Sequence, residues 1–273
     1  VLSSIETTQS NRRFDGFRNT PFLWEELLEG LKMFGINDLP IIYYPKIDST
    51  SHIRLGKLIE QFVVFELEQD ESIQLLKSNV QVFSKKITIG ELDCLIKQLD
   101  VNLHLEIVYK FYLYDPSIST ELNRWVGPNR NDSLVLKLNK LKEKQLPLLY
   151  HPDTAKLLNE LNIKSYEFKQ RVYFKAQLFI PFHGTESSFE YVNNKCIKGF
   201  YIRPGDLKFF TNYTYYIPTK LDWLVEPHLD VDWISTQAFR STITELLAAQ
   251  KSPLCWMKST EGKIQKFFVV WWE

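Results

Sequence analysis

The sequence predicts an α/β fold: a core in the order helix, three strands, helix, strand, with a helical N-terminal arm and a mixed α+β C-terminal extension. Three observations point there. Residues 54–68 repeat apolar side chains at helical spacing. Three apolar runs of strand length follow at 73–83, 87–97 and 102–113, separated by short turns. A second helical pattern at 131–146 then precedes another strand-like run at 171–182. A chain of 273 residues accommodates one large domain or a core with an extension. The reading divides it into an arm at 1–44, a core at 45–182 and an extension at 183–273.

The elements follow in order. Residues 1–20 are polar and read as loosely ordered. PFLWEELLEGLKMFG (21–35) has helical apolar spacing with Gly35 as a stop, and NDLPIIYYPKIDSTS (37–51) is a proline-punctuated connection. RLGKLIEQFVVFELE (54–68) is the first core helix, followed by the three strands. DPSISTELNRWVGPN (115–129) is rich in turn formers. NDSLVLKLNKLKEKQL (131–146) is the second core helix, closed by Pro147, and RVYFKAQLFIPF (171–182) is the fourth strand. Beyond it come short aromatic strands at GFYIRP and LKFFTNY, a helix at 236–250, and a terminal strand pair in PLCWMKS and KIQKFFVVWW.

Composition excludes several classes. Lys plus Arg equals Asp plus Glu at 33 each, so the chain lacks the basic excess of a general polyanion binder, and any nucleic-acid contact must come from a local patch. No apolar run approaches the ~18 residues of a membrane span, and the opening residues lack the basic-then-apolar pattern of a secretory signal. Cys94, Cys196 and Cys255 are odd in number and stand in no CxxC spacing, which argues for free thiols and against a zinc cage or disulfide framework. The expected location is cytoplasmic. There is no Gly-rich phosphate loop.

The informative residues are acids inside strands. With alternate side chains on one face, Asp93 joins Glu91 and Leu95, while Glu106 joins His104, Val108, Lys110 and Tyr112. A hairpin brings Asp93 beside Glu106, where two carboxylates repel unless a cation lies between them. Oxygen ligands of this kind suit Mg²⁺ or Mn²⁺. The competing reading is a half-exposed sheet whose polar face meets water.

The helices add candidates. In 54–68, Glu60 falls at the edge of the apolar arc, fit for a metal-bound water or for a boundary salt bridge. In 131–146, Gln145 falls inside the arc marked by Leu134, Leu138 and Leu141, so its amide needs hydrogen-bond partners. Lys137, Lys140 and Lys144 form a stripe beside it, either a phosphate-tracking edge or a solvated basic face. EPHLDVDW (226–233) alternates possible metal ligands but reads as a surface loop. His52, His151 and His183 have no Ser or Cys partner in a nucleophile setting, which gives a hydrolase triad no support.

RLGKLIE, NVQV, GELDCLI, LEIVYKFYL, RWVGPNRNDSLVLKL and KEKQL, in that order, resemble a bacterial family known as domain of unknown function 1853, placed in the PD-(D/E)XK nuclease-like superfamily. The resemblance covers residues 20–182 well and continues more loosely through IKGFYI, WLVEP, SPLCW and KFFVVWW. It implies a restriction-endonuclease-like core in which Asp93 and Glu106 are acidic metal ligands, Lys110 is the motif lysine, Glu60 is the first-helix acid and Gln145 the second-helix glutamine. The implied activity is Mg²⁺- or Mn²⁺-dependent phosphodiester hydrolysis, on DNA rather than RNA, with Lys137, Lys140 and Lys144 contacting nucleic acid. One departure stands out. Glu106 and Lys110 are four residues apart, about 13 Å along a strand, where the superfamily spaces them by two, about 7 Å. A bulge or a lysine reaching back would close the gap. The alternative is a catalytically inactive relative that binds nucleic acid or a protein.

Overall fold

The computed structural model describes residues 2–36, 40, 43–46, 53–184 and 188–272. His52 and most of the connection read at 37–51 lie outside them. The chain forms a mixed α/β structure with a large mixed sheet and several helices. Helix α1 (Leu2–Arg18) precedes a small hairpin, β1 (Leu27–Leu28) and β2 (Leu31–Lys32). Helix α2 (Leu55–Glu68) leads into β3 (Ile73–Ser84), β4 (Ile87–Gln98) and β5 (Val101–Tyr114). A one-turn helix α3 (Glu121–Arg124), β6 (Trp125–Val126), α4 (Leu134–Lys140) and α5 (Pro152–Glu160) come next. Then follow β7 (Phe168–Pro181), β8 (Ile197–Ile202), β9 (Tyr213–Tyr216), α6 (Thr236–Ala248), β10 (Leu254–Ser259) and β11 (Ile264–Val269).

Two compact units are interleaved along the chain. A mid-chain unit comprises Phe22–Tyr109 and Leu136–Lys175; a terminal unit comprises Val1–Pro21, Lys110–Val135 and Ala176–Glu273.

In the mid-chain unit the strand order is β3-β4-β5-β7. The first three strands are antiparallel and joined by two-residue turns, Ser84 pairing with Ile87 and Gln98 with Val101. Helix α2 buries Leu58, Ile59, Phe62, Val63 and Leu67, while Leu55 and Phe65 of the expected apolar arc are half-buried. Val80, Val82, Leu92, Leu149, Leu158 and Phe168 form one core cluster. Gly90 makes this packing possible, because a Cβ there would stand 2.6 Å from Leu148 Cδ2.

Two expectations fail in this unit. Residues 21–35 form the β1–β2 hairpin rather than a helix. Glu29 and Gly30 both have positive φ, 51° and 80°, as a tight type I′ turn requires. The flanks tie to β7 through Leu23 N–H to Phe174 O and Phe34 N–H to Val172 O, 2.9 Å each. Pro147 does not close the second helix. The α-helical ladder gives way earlier, to a π-helical turn at Leu141–Gln145, and Pro147 falls in the first turn of a 3₁₀ segment, Leu146–Tyr150. Lacking an N–H, proline is tolerated in that first turn.

In the terminal unit β8 lies parallel to both β7 and β11, while β10 is antiparallel to β11 and β9. Tyr215 stacks on Phe239 at 4.0 Å within a core that includes Ile202, Ile243, Met257 and Phe267. LKFFTNY (207–213) supplies the end of a 3₁₀ turn, Pro204–Phe209, and only the start of β9, the preceding Pro204 sitting in the first turn of that local helix. Within the segment at 1–20, Leu2–Arg18 form a helix, not a loose tail. Phe14 and Phe17 are buried, Gly16 stands where a Cβ would be 2.0 Å from Leu224 O, and Arg13 pairs with Asp222 at 2.7 Å. These four residues hold a helix that has little amphipathic signal. Among the described residues no helix is long and apolar enough to cross a membrane.

Candidate functional site

Both faces of β5 are covered between Leu103 and Val108, and His104 and Glu106 are each 0% exposed. The solvated-face reading of Glu106 therefore fails. A carboxylate placed there must be compensated or hold its proton.

The β4–β5 ladder runs from Gln98–Val101 to Cys94–Leu105 and stops. The next step in that register sets Asp93 opposite Glu106. In place of a ladder bond, Asp93 Oδ2 accepts the Ile107 amide at 2.8 Å. Hairpin register alone thus brings the two acids together, as the alternation of side chains predicts.

Glu106 is held at both oxygens. Oε1 lies 3.0 Å from His104 Nε2, and Oε2 accepts from Gln145 Nε2 at 2.5 Å. Gln145 Oε1 in turn accepts from Lys137 Nζ at 2.7 Å. On the far side, Gln170 Nε2 donates to Leu146 O at 2.6 Å and faces His104 Nδ1 at 3.0 Å. A carbonyl only accepts, so Leu146 fixes the Gln170 amide, which then donates to Nδ1. His104 is left neutral with its proton on Nε2, directed at Glu106. Burial lowers the His104 pKa to about 4 and keeps it in that form.

The two acids titrate upwards. Burial, and then the neighbouring charge of Glu106, push Asp93 to about 8, against a smaller pull from the Ile107 N–H. Burial pushes Glu106 to about 7, although Lys137 and the hydrogen bonds from Asp93 and Gln145 draw it down. Near neutral pH the pair shares a proton, a joint property of both groups.

The remaining expected residues fall as follows. Glu60 is bound by Lys57 at 2.7 Å, and the same ammonium reaches Glu91 at 2.6 Å and Asn79 Oδ1 at 3.0 Å. The Glu60 charge still acts on Asp93. Gln145 finds the partners its position demanded, through the π-helical turn that carries it. Such turns concentrate at functional sites. Lys140 and Lys144 are exposed, whereas Lys137 is half-buried. The Lys110 ammonium, in the terminal unit, is held by Asp132 at 2.5 Å. The cation acting on both acids is Lys137.

Sequence reasoning left His104, Gln170 and Lys57 unassigned. His104 was open to detection, because it shares the Glu106 face two residues away. Gln170 and Lys57 join through tertiary packing and leave no periodic trace.

Residues 42–270 match the family described as Domain of unknown function (DUF1853). The chain belongs to that family. No curated protein and no solved structure matches the chain. The DUF1853 match spans every residue of the acid cluster, from Lys57 to Gln170, but a family of unknown function assigns no chemistry, which must come from the side chains themselves.

Proposed function

We propose that this DUF1853 protein is a divalent-cation-dependent phosphodiesterase acting on nucleic acid, DNA rather than RNA, on a restriction-endonuclease-like core of the PD-(D/E)XK kind. The observation that carries the reading is the pair Asp93 and Glu106, a half-buried and a fully buried carboxylate opposite one another on adjacent strands, both with raised pKa values. The order α2, β3, β4, β5, α4, β7 supports the core assignment.

The donor set fits Mg²⁺ or Mn²⁺. Such ions take one or two protein carboxylates and complete their shell with water and substrate phosphate. Among the described residues no group of three or more His, Cys, Asp or Glu could hold a metal ion. Asp93 and Glu106 would hold the ion, and Glu60 is committed to Lys57. When bound, the ion polarises a phosphate oxygen and lowers the pKa of an attacking water.

The chain's own residues do the rest. Asp93 and Glu106 release their shared proton as positive charge arrives. His104 and Gln145 fix the Glu106 carboxylate from both sides. Lys137 sets an ammonium beside the pair, where it offsets negative charge growing on a phosphate. Lys140 and Lys144 extend that positive charge to the surface for phosphate contact.

The module reading has one specific support: Lys110, the expected motif lysine, is paired with Asp132, and both Glu106 oxygens already accept hydrogen bonds. Incubating single- and double-stranded DNA and RNA with Mg²⁺ or Mn²⁺ separates the two. The nuclease reading expects cleavage by wild type and none by Asp93→Asn. Binding of DNA without cleavage by either protein favours the module.

A further inference from the structure

The terminal unit carries a cleft of about 270 Å³ that the acid cluster does not use, lined by Pro116, Phe182, His183, Tyr201, Arg203 and Asp206. Its walls combine ring faces with charge. Phe182 is 39% exposed, and its inner edge packs on Phe200 and Phe210 at 5.4 and 4.9 Å. The His183 ring lies 4.7 Å from Phe182 and 5.8 Å from Phe209, which is itself 55% exposed. Lys208 Nζ stands 5.0 Å over the Phe209 ring.

The polar groups are ordered too. Asp206 Oδ1 lies 3.1 Å from His183 Nε2, and Oδ2 accepts the Arg203 amide at 3.0 Å. Arg203 is exposed and forms no ion pair among the described residues. A purely apolar ligand would leave the exposed Arg203 guanidinium unused, and a bare anion would leave the rings unused. A flat ring bearing hydrogen-bonding edges and an attached phosphate answers both. At about 270 Å³ the cleft lies just below the range of drug-sized ligand pockets, about 300–1,000 Å³, and takes one such ring.

We infer that this cleft stacks one unpaired nucleobase of a single-stranded segment, with Arg203 and Lys208 meeting the adjoining phosphates. Rings interleaved with cations are the usual platform for single strands. The inference rests on the nucleic-acid reading above, and names the form of nucleic acid that reading leaves open.

The test is binding of a short single-stranded DNA carrying one fluorescent base analogue, in EDTA so that cutting cannot occur. Wild type should quench the analogue on binding. Phe182→Leu keeps apolar bulk but removes the stacking face; it should lose the quench and about tenfold in affinity. Arg203→Ala, at an exposed position, should flatten the salt dependence by about one contact. Unchanged affinity and quench in both cleft variants would overturn the inference, as would failure of wild type to bind this DNA or the matching RNA. If wild type quenches the probe yet cuts nothing with Mg²⁺ or Mn²⁺, the cleft stands and the cleavage reading falls. If it cuts duplex DNA without quenching the probe, the cleft alone falls.

Discussion

Asp222 in the terminal unit is a buried acid, as is Glu106 beside the half-buried Asp93 in the mid-chain unit, and the two regions behave in opposite ways. Burial alone would raise the Asp222 pKa, but hydrogen bonds from Arg13, Thr219 and Gln9 and the Arg13 charge bring it below the usual carboxylate range. Its partners stand at 2.7 Å (Arg13), 2.5 Å (Thr219) and 2.8 Å (Gln9). Asp93 accepts a neutral backbone amide, and Glu106 is reached by the neutral His104 and Gln145. A structural carboxylate carries its cation with it. The mid-chain pair feels the Lys137 charge, and Glu106 that of Lys140 as well, but neither ammonium outweighs burial, so both acids stay raised.

That contrast predicts where function and stability separate. The largest effect should come from Asp93→Asn, which removes ligand charge yet leaves an oxygen for the Ile107 amide. Cation-dependent cleavage should fall by about a thousandfold, while the far-ultraviolet circular dichroism stays that of wild type. Equal loss of fold and activity would erase the distinction between the two acids.

Next in size is Asp222→Ala, which strands the Arg13 guanidinium and frees two further donors. Urea denaturation should show a loss of about 3 kcal/mol, near the low end for a broken buried pair because Arg13 keeps some contact with water. Cleavage by the folded fraction should be unchanged.

The third effect is one of pH, and the two regions carry opposite signs. Asp93 and Glu106 have folded values raised to about 8 and about 7, so folding favours their protonated forms. Their contribution is fully present below the unfolded carboxylate range and is lost as pH rises through 7 to 8. Asp222 is depressed, and its contribution is lost as pH falls through its folded value. Asp93→Asn should therefore be more stable than wild type by about 2 kcal/mol at pH 9, with the gap narrowing toward pH 5. Mg²⁺ should stabilise wild type at pH 9 and leave the variant unaffected, as thermal melts would reveal. Glu106→Gln is a poorer probe, because both Glu106 oxygens accept and an amide would set one donor against another.

The smallest effect belongs to the surface. Replacing Lys140 and Lys144 by Ala should weaken DNA binding and reduce the slope of log affinity against log salt by about one per residue. An unchanged slope returns both to a solvated face.

Much of the site was legible in the sequence because it follows from periodicity. Alternation in two strands places Asp93 and Glu106, and the helical arc places Gln145 inward. The fold was legible for the same reason from α2 to β5 and again at β7, β8, α6, β10 and β11. It failed where a few contacts outweigh the pattern: Glu29–Gly30 turns an apolar run into a hairpin, and Phe14, Gly16 and Phe17 dock a polar helix. The part assigned to Lys110 came from the resemblance alone, and its ammonium pairs with Asp132. The ammonium beside the acids is that of Lys137, and only the packed helix reveals it.

The π-helical turn at Leu141–Gln145 has a consequence for how this chain tolerates insertion and deletion. The wider turn accommodates one residue beyond regular α-helical winding. Deleting a single residue from 142–144 would restore that winding and improve the helix as a helix. It would also swing the following side chain by about 100°, withdrawing the Gln145 amide from Glu106 and from Lys137. Local regularity and the acid cluster are thus mutually exclusive here, so a length change that elsewhere in a helix merely shifts its end would at this point disconnect the site.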